Sequence, residues 1–522
     1  MLRGLFSRVL AKGLRGRSVN GSMRASRECE AAEACARAGK LGLAEVHLQL
    51  AIQHDSGSAA LHYNLGLLRH NVGDIDGASE CYRRALRLQP DQQNAHSSLL
   101  SICDFSRQLR GIDGLDRHRK WASTYADPLT SKAQPHANSR DPGRRLRVGY
   151  VSADFRDHVI GQFIHPVLAH HDRRLTTIFV YSASTQEDVQ TRRLKTLVHG
   201  WRNIADMDDE EATELIRADS IDCLVDLSGH SAGNRLLVFA RKPAPVQLTW
   251  MGYLNTTGMS AMDYKVTDQI ADPPGADVCY REKLMRLPSP QWCYSQEVKQ
   301  PEAADSNIRT FHSRILLGCV ARFMKINDDC IDLWIEVLRV VGNADLRLID
   351  VPDHPRTAEI LERFSRAGFS HRVSILPTLR GGEYWQRIKE LDIALDPFPY
   401  TGATTTWDCL WMGVPVVTLA GAYGAERSAA SILSGICCEH LIARSRDEYV
   451  QVIRSMESDR FQLADFSAKL CSMIRSSTMC NAAARCRLGG GTTIGMGAVV
   501  RHARRGGVMN AIPVMNWCES SP

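Results

Sequence analysis

The chain has 522 residues, a formal net charge of +6, and 44% hydrophobic, 23% charged and 7% aromatic side chains. That composition excludes a disordered, collagen-like or low-complexity polymer, and the length leaves room for about three domains. No run approaches the ~18 consecutive apolar residues that a membrane span needs.

The charge is unevenly placed. Residues 1–27 hold seven Lys/Arg and no acid, and residues 466–522 hold seven Lys/Arg against Glu519 alone, so the body between them is net −7. A basic surface spread over a folded domain would suggest nucleic-acid binding; basic ends on an acidic body argue against it. The arm 1–27 reads as an organelle-targeting leader or a solvated basic arm. The sixteen cysteines are scattered from Cys29 to Cys518 without a C-x-x-C pair. They read as free thiols in a reducing, cytoplasmic setting rather than as a zinc site or disulfide framework.

Residues 28–126 are helical in pattern. In a 34-residue frame starting at Ala59, Leu65, Gly66, Ala78, Tyr82, Ala85 and Pro90 fall where a tetratricopeptide repeat places Leu, Gly, Ala, an aromatic, Ala and Pro. Small residues let two antiparallel helices approach, the aromatic fills the gap, and Pro ends the second helix. One frame earlier Ala44, Leu48 and Ala51 fit, with Ser56 at the Pro position. The polar, proline-bearing stretch 127–145 reads as a linker.

From Leu146 the texture becomes alternating strand and helix, in two blocks, 146–300 and 301–480, with a polar stretch near their junction. LRVGYVS, TTIFVYS, CLVDLSG, RILLGCV, LRLIDV, DIALDPF and VPVVTLAG are apolar strand runs. Helical patterns such as EEATELIRAD and CIDLWIEVLRVVG separate several of them. Such alternation predicts parallel sheets flanked by helices, and two facing doubly wound lobes with a cleft at the carboxyl ends of their strands.

The strongest chemical signal lies after the strand DIALD. A Pro/Gly turn leads into Thr404, Thr405 and Thr406, which open a helix that Gly413 and Pro415 end. Unpaired N–H groups, the positive end of the helix dipole and hydroxyls suit a diphosphate there, and Asp408, one turn in, suits a sugar or ribose hydroxyl. Asp206-Met207-Asp208 looks like a metal-binding D-x-D, but its acids precede EEATELI and read as helix-capping residues. No dinucleotide, zinc-protease or kinase signature is present.

Residues 146–475, with GYVSADFRDHVIGQFIHP, LVDLSGHSAGNRLLVFARKPAPVQLTWMGY, ARFMKIN and the Thr-rich segment, resemble the O-GlcNAc transferase family, of the bacterial and SPINDLY-related kind. Repeats followed by a two-lobed region is that family's order. The resemblance implies a GT-B fold and an inverting, metal-independent glycosyltransferase with no cofactor. It further implies a UDP-sugar donor, most readily UDP-N-acetylglucosamine, and Ser/Thr of proteins or peptides guided by the repeats as acceptor, with neither nucleic acid nor membrane as partner. By position His158 matches the histidine that assists the acceptor, and Lys325 the lysine on the donor diphosphate. Thr404, Thr405 and Asp408 match donor-binding residues, and Tyr384 a residue beside the uracil. Arg322 lies near the donor phosphates, and His230 is expected to face the cleft from the first lobe. The chain departs from the family at Arg322, where Asn or Gln is usual, at Ala403, where animal members have His, and at Asn255, where many have Gly. The alternatives are a non-catalytic repeat scaffold with a decayed transferase region, or a related protein glucosyl- or fucosyltransferase. The tail 481–522 has seven glycines between Gly489 and Gly507. At about 1 kcal/mol per glycine against a helix, it reads as a disordered replacement for the family's closing helix.

Overall fold

The computed structural model describes residues 19–105, 111–141, 143–288, 290–294, 314–477 and 479–480. The tail expected over 481–522, and the first eighteen residues of the basic arm, lie outside the described residues. The rest of that arm enters the first helix, α1 (Val19–Arg37).

Antiparallel helices follow: α2 (Leu41–His54), α3 (Ala59–Asn71), α4 (Ile75–Leu88), α5 (Gln93–Ser101) and α6 (Ile112–Tyr125), with a 3-10 turn at Ile102–Phe105. The repeat logic is visible in the α3/α4 pair. A Cβ on Gly66 would stand 2.6 Å from the Tyr82 ring, and Ala78, Tyr82 and Ala85 are fully buried. Only glycine lets the aromatic close that gap. A short helix, α7 (Asp127–Thr130), leads into the former linker. Arg144 and Asn138 then tie the stretch to the buried Asp222, at 2.8 and 2.9 Å.

The first lobe is a seven-stranded sheet in the order β3-β2-β1-β4-β5-β6-β7, every pair parallel. Its strands are β1 (Leu146–Ser152), β2 (Thr176–Ser182), β3 (Gly200–Asn203), β4 (Cys223–Asp226), β5 (Val246–Thr249), β6 (Tyr264–Asp268) and β7 (Lys283–Leu287). Helices α8 (Val159–Ala169), α9 (Val189–Lys195), α10 (Asp209–Ala218) and α11 (Leu236–Ala240) connect them. Asp208 caps α10, accepting from the Glu210 and Glu211 N–H groups at 2.8 Å, so this acid is engaged by a helix terminus.

The second lobe is a six-stranded parallel sheet in the order β10-β9-β8-β11-β12-β13. Its strands are β8 (Ile315–Val320), β9 (Ala344–Ile349), β10 (Val373–Leu376), β11 (Ile393–Leu395), β12 (Val416–Leu419) and β13 (Ile442–Ala443). Its helices are α12 (Asp328–Val340), α13 (Pro355–Arg366), α14 (Gly381–Lys389), α15 (Thr404–Trp411), α16 (Ser428–Ser434), α17 (Arg446–Ser458) and α18 (Arg460–Ser476). In each sheet the strand order reverses beside the first strand, between β1 and β4 and between β8 and β11. Crevices of this fold type open at those points.

The helical region is not a detached module. Leu41, Leu48, Leu65 and Leu68 belong to the same apolar cluster as the strands of both lobes. The Glu45 carboxylate meets His354 of the second lobe at 2.9 Å, and the Gly42 N–H donates to Asp353 O at 3.0 Å. Toward the first lobe, Tyr253 Oη and His118 Nε2 are 2.8 Å apart, and Ser260 Oγ donates to Asp127 at 2.8 Å.

His118 is fully buried at this interface, and burial pushes its pKa down to about 4. His70 and His171 are held down to about 4 for the same reason. The unfolded chain takes up these protons below the ordinary histidine value, while the folded chain resists until about pH 4. Stability contributed by the neutral rings is therefore complete above about pH 6.5 and is lost as the pH falls toward 4. Thermal melts across that range are expected to show a steady fall in Tm. His118→Gln should lower Tm at pH 7.5 and shallow the acid slope; an unchanged slope would contradict the assignment.

Candidate active site

Three loops at strand carboxyl ends build the cleft. After β1 the chain turns through Asp154–Asp157, and His158 becomes the N-cap of α8. The turn folds back tightly: a Cβ on Gly161 would lie 2.2 Å from Arg156 O. The Ile160 N–H donates to His158 Nδ1 at 3.3 Å, and Asp154 Oδ2 is 3.6 Å from the same nitrogen. Nε2 is buried without a partner. Burial pushes the His158 pKa down to about 4, against the Asp154 carboxylate, which raises it.

After β8 comes Arg322, exposed, and a 3-10 turn, Phe323–Lys325. The Lys325 ammonium donates to Thr401 O at 2.8 Å and lies 4.3 Å from the centroid of the Tyr400 ring. Burial lowers its pKa to about 8; Asp396 opposes that shift and Arg322 adds to it. Arg322 also depresses His158. One guanidinium is thus within electrostatic reach of the key residue of each lobe.

After β11 the loop carries Asp396, whose carboxylate accepts from the Gly402 N–H and from Thr418 Oγ1, both at 2.7 Å. Thr401 is pinned by its hydroxyl to Ala425 O at 2.8 Å. Helix α15 then starts at Thr404. Its N-cap is Ala403, which offers no side-chain acceptor to the first N–H groups. A Cβ on Gly402 would meet Thr406 Oγ1 at 2.5 Å, Asp396 Oδ1 at 2.8 Å and Thr405 Oγ1 at 3.0 Å. Thr406 Oγ1 is buried with no partner. Uncapped N–H groups, hydroxyls, a glycine cradle and a lysine that uses one of its three donors form a receptor for a polyanion.

The remaining expected residues are placed differently. Asp408 is buried, with Tyr294 Oη on Oδ1 at 2.9 Å and Tyr384 Oη on Oδ2 at 2.7 Å. Burial raises its pKa to about 6 against those two bonds. Asp408 is thus held by two tyrosines, and a hydroxyl of a ligand would use the second lone pair of either oxygen. Tyr384 turns its hydroxyl to that carboxylate and packs edge-on against Trp385, with ring centroids 5.3 Å apart.

His230 corrects the sequence reading. It is buried under the helical region and does not face the cleft. Its Nε2 meets Thr257 O at 2.9 Å and its Nδ1 meets Ser97 Oγ at 3.4 Å. Its ring packs edge-on against Trp121, with centroids 4.6 Å apart. The loop after β4 reaches the helices before it reaches the crevice, and both ring nitrogens are engaged there. Asp396, Tyr294 and Tyr400 were not singled out from sequence. Only Asp396 carried a local signal, a polar residue closing a parallel strand.

The glycosyl transferase family 41 model matches residues 116–295 and 309–487, and the tetratricopeptide repeat model matches 59–92. A probable UDP-N-acetylglucosamine–peptide N-acetylglucosaminyltransferase SPINDLY of Solanum lycopersicum is 34% identical over 412 residues, which is 76% of this chain and 43% of that protein. The Arabidopsis thaliana protein of the same name is 35% identical over 410 residues, 76% of this chain and 44% of its own. The chain spans under half the length of these relatives. An O-GlcNAc transferase of Thermobaculum terrenum, solved as a lysine-to-methionine mutant, superposes with a TM-score of 0.81 at 32% identity, covering 97% of this chain and 98% of that one.

Pyrophosphate binding, followed by calorimetry, is expected to weaken as the pH rises through about 8, where Lys325 gives up its proton. Gly402→Ala, which fills the cradle, should weaken it about tenfold at every pH; wild-type affinity in that variant would remove the loop from the site.

Proposed function

The chain belongs to glycosyl transferase family 41, and from that premise we propose that it is an inverting glycosyltransferase moving N-acetylglucosamine from UDP-N-acetylglucosamine to Ser or Thr of protein acceptors. The observation that carries the reading is the pairing, across one cleft, of a neutral histidine after β1 with an ammonium and an uncapped helix start after β8 and β11. Support for the donor sugar comes from the names of the relatives, and for the acceptor from the same names together with the repeat region.

The chemistry follows from the side chains. The acceptor oxygen attacks the anomeric carbon as the bond from that carbon to the phosphate oxygen breaks and UDP leaves. The acceptor's proton passes to His158 Nε2. In the structure Nδ1 accepts from the Ile160 N–H at 3.3 Å, which leaves the ring's own proton on Nε2; for Nε2 to take the acceptor's proton, that long bond gives way and the ring's proton moves to Nδ1. Asp154, 3.6 Å from Nδ1, favours that tautomer and the cation that forms. Lys325 and the α15 terminus meet the charge that grows on the leaving diphosphate, in a site where such donors act strongly. Arg322 brings a second full positive charge to the same mouth and can make a fork of hydrogen bonds to phosphate. We place the activity in the cytoplasm, because the fourteen cysteines among the described residues are all free thiols. No helix among the described residues is long and apolar enough to cross a membrane.

Incubation with labelled UDP-N-acetylglucosamine, UDP-glucose and GDP-fucose and with peptide acceptors tests the reading. Transfer from the first donor should fall by about 10²–10⁴-fold in His158→Ala and about 10²–10³-fold in Lys325→Ala. Labelling that survives both substitutions would sink the residue assignments, and preference for another donor would reassign the sugar. The pH profile of kcat/KM has its own signature. It should rise through about pH 4, as His158 becomes able to accept a proton, and fall above about 8, as Lys325 loses its charge.

A further inference from the structure

One turn of the helical region touches both lobes beside the cleft. In the 3-10 turn Ile102–Phe105, Asp104 Oδ1 accepts from Asn255 Nδ2 of the first lobe at 2.8 Å. The next residue, Phe105, stacks on Tyr400 of the second lobe, with ring centroids 4.8 Å apart and planes 14° apart. Tyr400 is the ring on which the Lys325 ammonium rests, at 4.3 Å. Behind Phe105 stands His70 of α3, edge-on at 5.3 Å and 79°, with its Nε2 buried and unpartnered. A file of rings therefore runs from the repeat helices to the lysine.

We infer that Phe105 and Tyr400 are positioning residues that hold the Lys325 ammonium at the phosphate site, so that the helical region completes the donor site as well as neighbouring the acceptor. The inference rests on the glycosyltransferase reading for the identity of the phosphate, but not for the positioning itself. Lysine ends a flexible four-carbon stem, and its charge has no preferred direction of its own. Here two contacts aim it, the Thr401 carbonyl and the face of Tyr400. Tyr400 lies on the loop between Asp396 and Gly402 and is only half-buried, so its orientation depends on a neighbour. Phe105 is that neighbour, with stacked geometry, and Asp104 anchors the turn that carries it. Removing Phe105 uncovers one part of the tyrosine ring, frees it to rotate, and admits water to the ammonium. The Thr401 carbonyl is then the remaining direct contact, with the Asp396 carboxylate acting only through its charge.

UDP binding by calorimetry and the titration of the labelled Lys325 amine by NMR, both on the full chain, test this. Phe105→Ala and Tyr400→Leu are each expected to weaken UDP about three- to tenfold, the scale of a lost cation–ring contact. Phe105→Ala, which admits water, should move the Lys325 titration upward toward the ordinary lysine value, whereas Tyr400→Leu, which removes the ring that favours the ammonium, should move it further down. Tyr400→Phe, which keeps the ring, should stay within about twofold of wild type. Phe105→Ala should cost little more in the Tyr400→Leu background, because both act through one contact. Phe105→Leu serves where the alanine variant melts early, with the same direction and a smaller effect. Wild-type UDP affinity and titration in both Phe105 variants, with Lys325→Ala still abolishing UDP binding, would overturn the inference and leave the glycosyltransferase reading standing. A shifted titration in a chain that binds no UDP would support the positioning and sink that reading instead.

Discussion

The second lobe is organised around a charge that water only partly reaches. An ammonium taken from water is costly unless it is paired and hydrogen-bonded, and Lys325 meets that demand with Asp396, the Thr401 carbonyl and the Tyr400 ring. All three come from the loop after β11, which lies beside the lysine only because β11 pairs with β8. The strand order that reverses at this point is thus the condition for the charge to be held at all. The same loop is braced by Asp396 on Gly402 and Thr418, so one carboxylate both balances the lysine and shapes the turn into α15.

The helical region shares that dependence. A short array of repeats has too little interior to stand alone, and here its leucines complete a core contributed by both lobes. Its polar contacts divide between them, Glu45 reaching His354 of the second lobe and His118 reaching Tyr253 of the first. A piece bound to both walls of a cleft limits how far they can part. Asn255, a departure from the family pattern, has a local reason in this arrangement: its amide fastens the first lobe to Asp104.

Much of this could be read from residues, and what could not has a common cause. The strands, the helix start at Thr404, the capping acid Asp208 and the Gly66–Tyr82 packing all depend on neighbours within about one repeat or one βα unit. Tyr294 and Asp408 meet from 114 residues apart, and nothing near either residue announces the bond. Tyr384 likewise gives its hydroxyl to Asp408, a carboxylate on another helix, and nothing near the tyrosine announces that bond. His230 looked like a cleft residue because it follows a strand end; the helices packed over that loop, not the loop's own sequence, decide its burial. The Phe105–Tyr400 stack likewise joins two regions that a reading along the chain keeps apart.

The substitutions around the phosphate receptor form a consistent pattern of charge. Ala403 brings neither charge nor hydrogen bond to the N-cap of α15, so that end of the receptor offers only backbone N–H groups, Thr hydroxyls and the partial charge of the helix dipole. The full charges stand on the other side, Lys325 and Arg322 at the end of β8. Arg322 adds to the burial that depresses both Lys325 and His158, an addition that a neutral Asn or Gln at that position would not make. Moving charge away from the helix start and toward β8 keeps the receptor attractive to an anion while leaving the N-cap small. Burial is what keeps His158 neutral, and Arg156 and then Arg322 add to it, since a cation nearby opposes a second proton. The histidine after β1 and the arginine after β8 therefore belong to one electrostatic arrangement, in which the charge that attracts an anion works in the same direction as the burial that keeps the imidazole neutral.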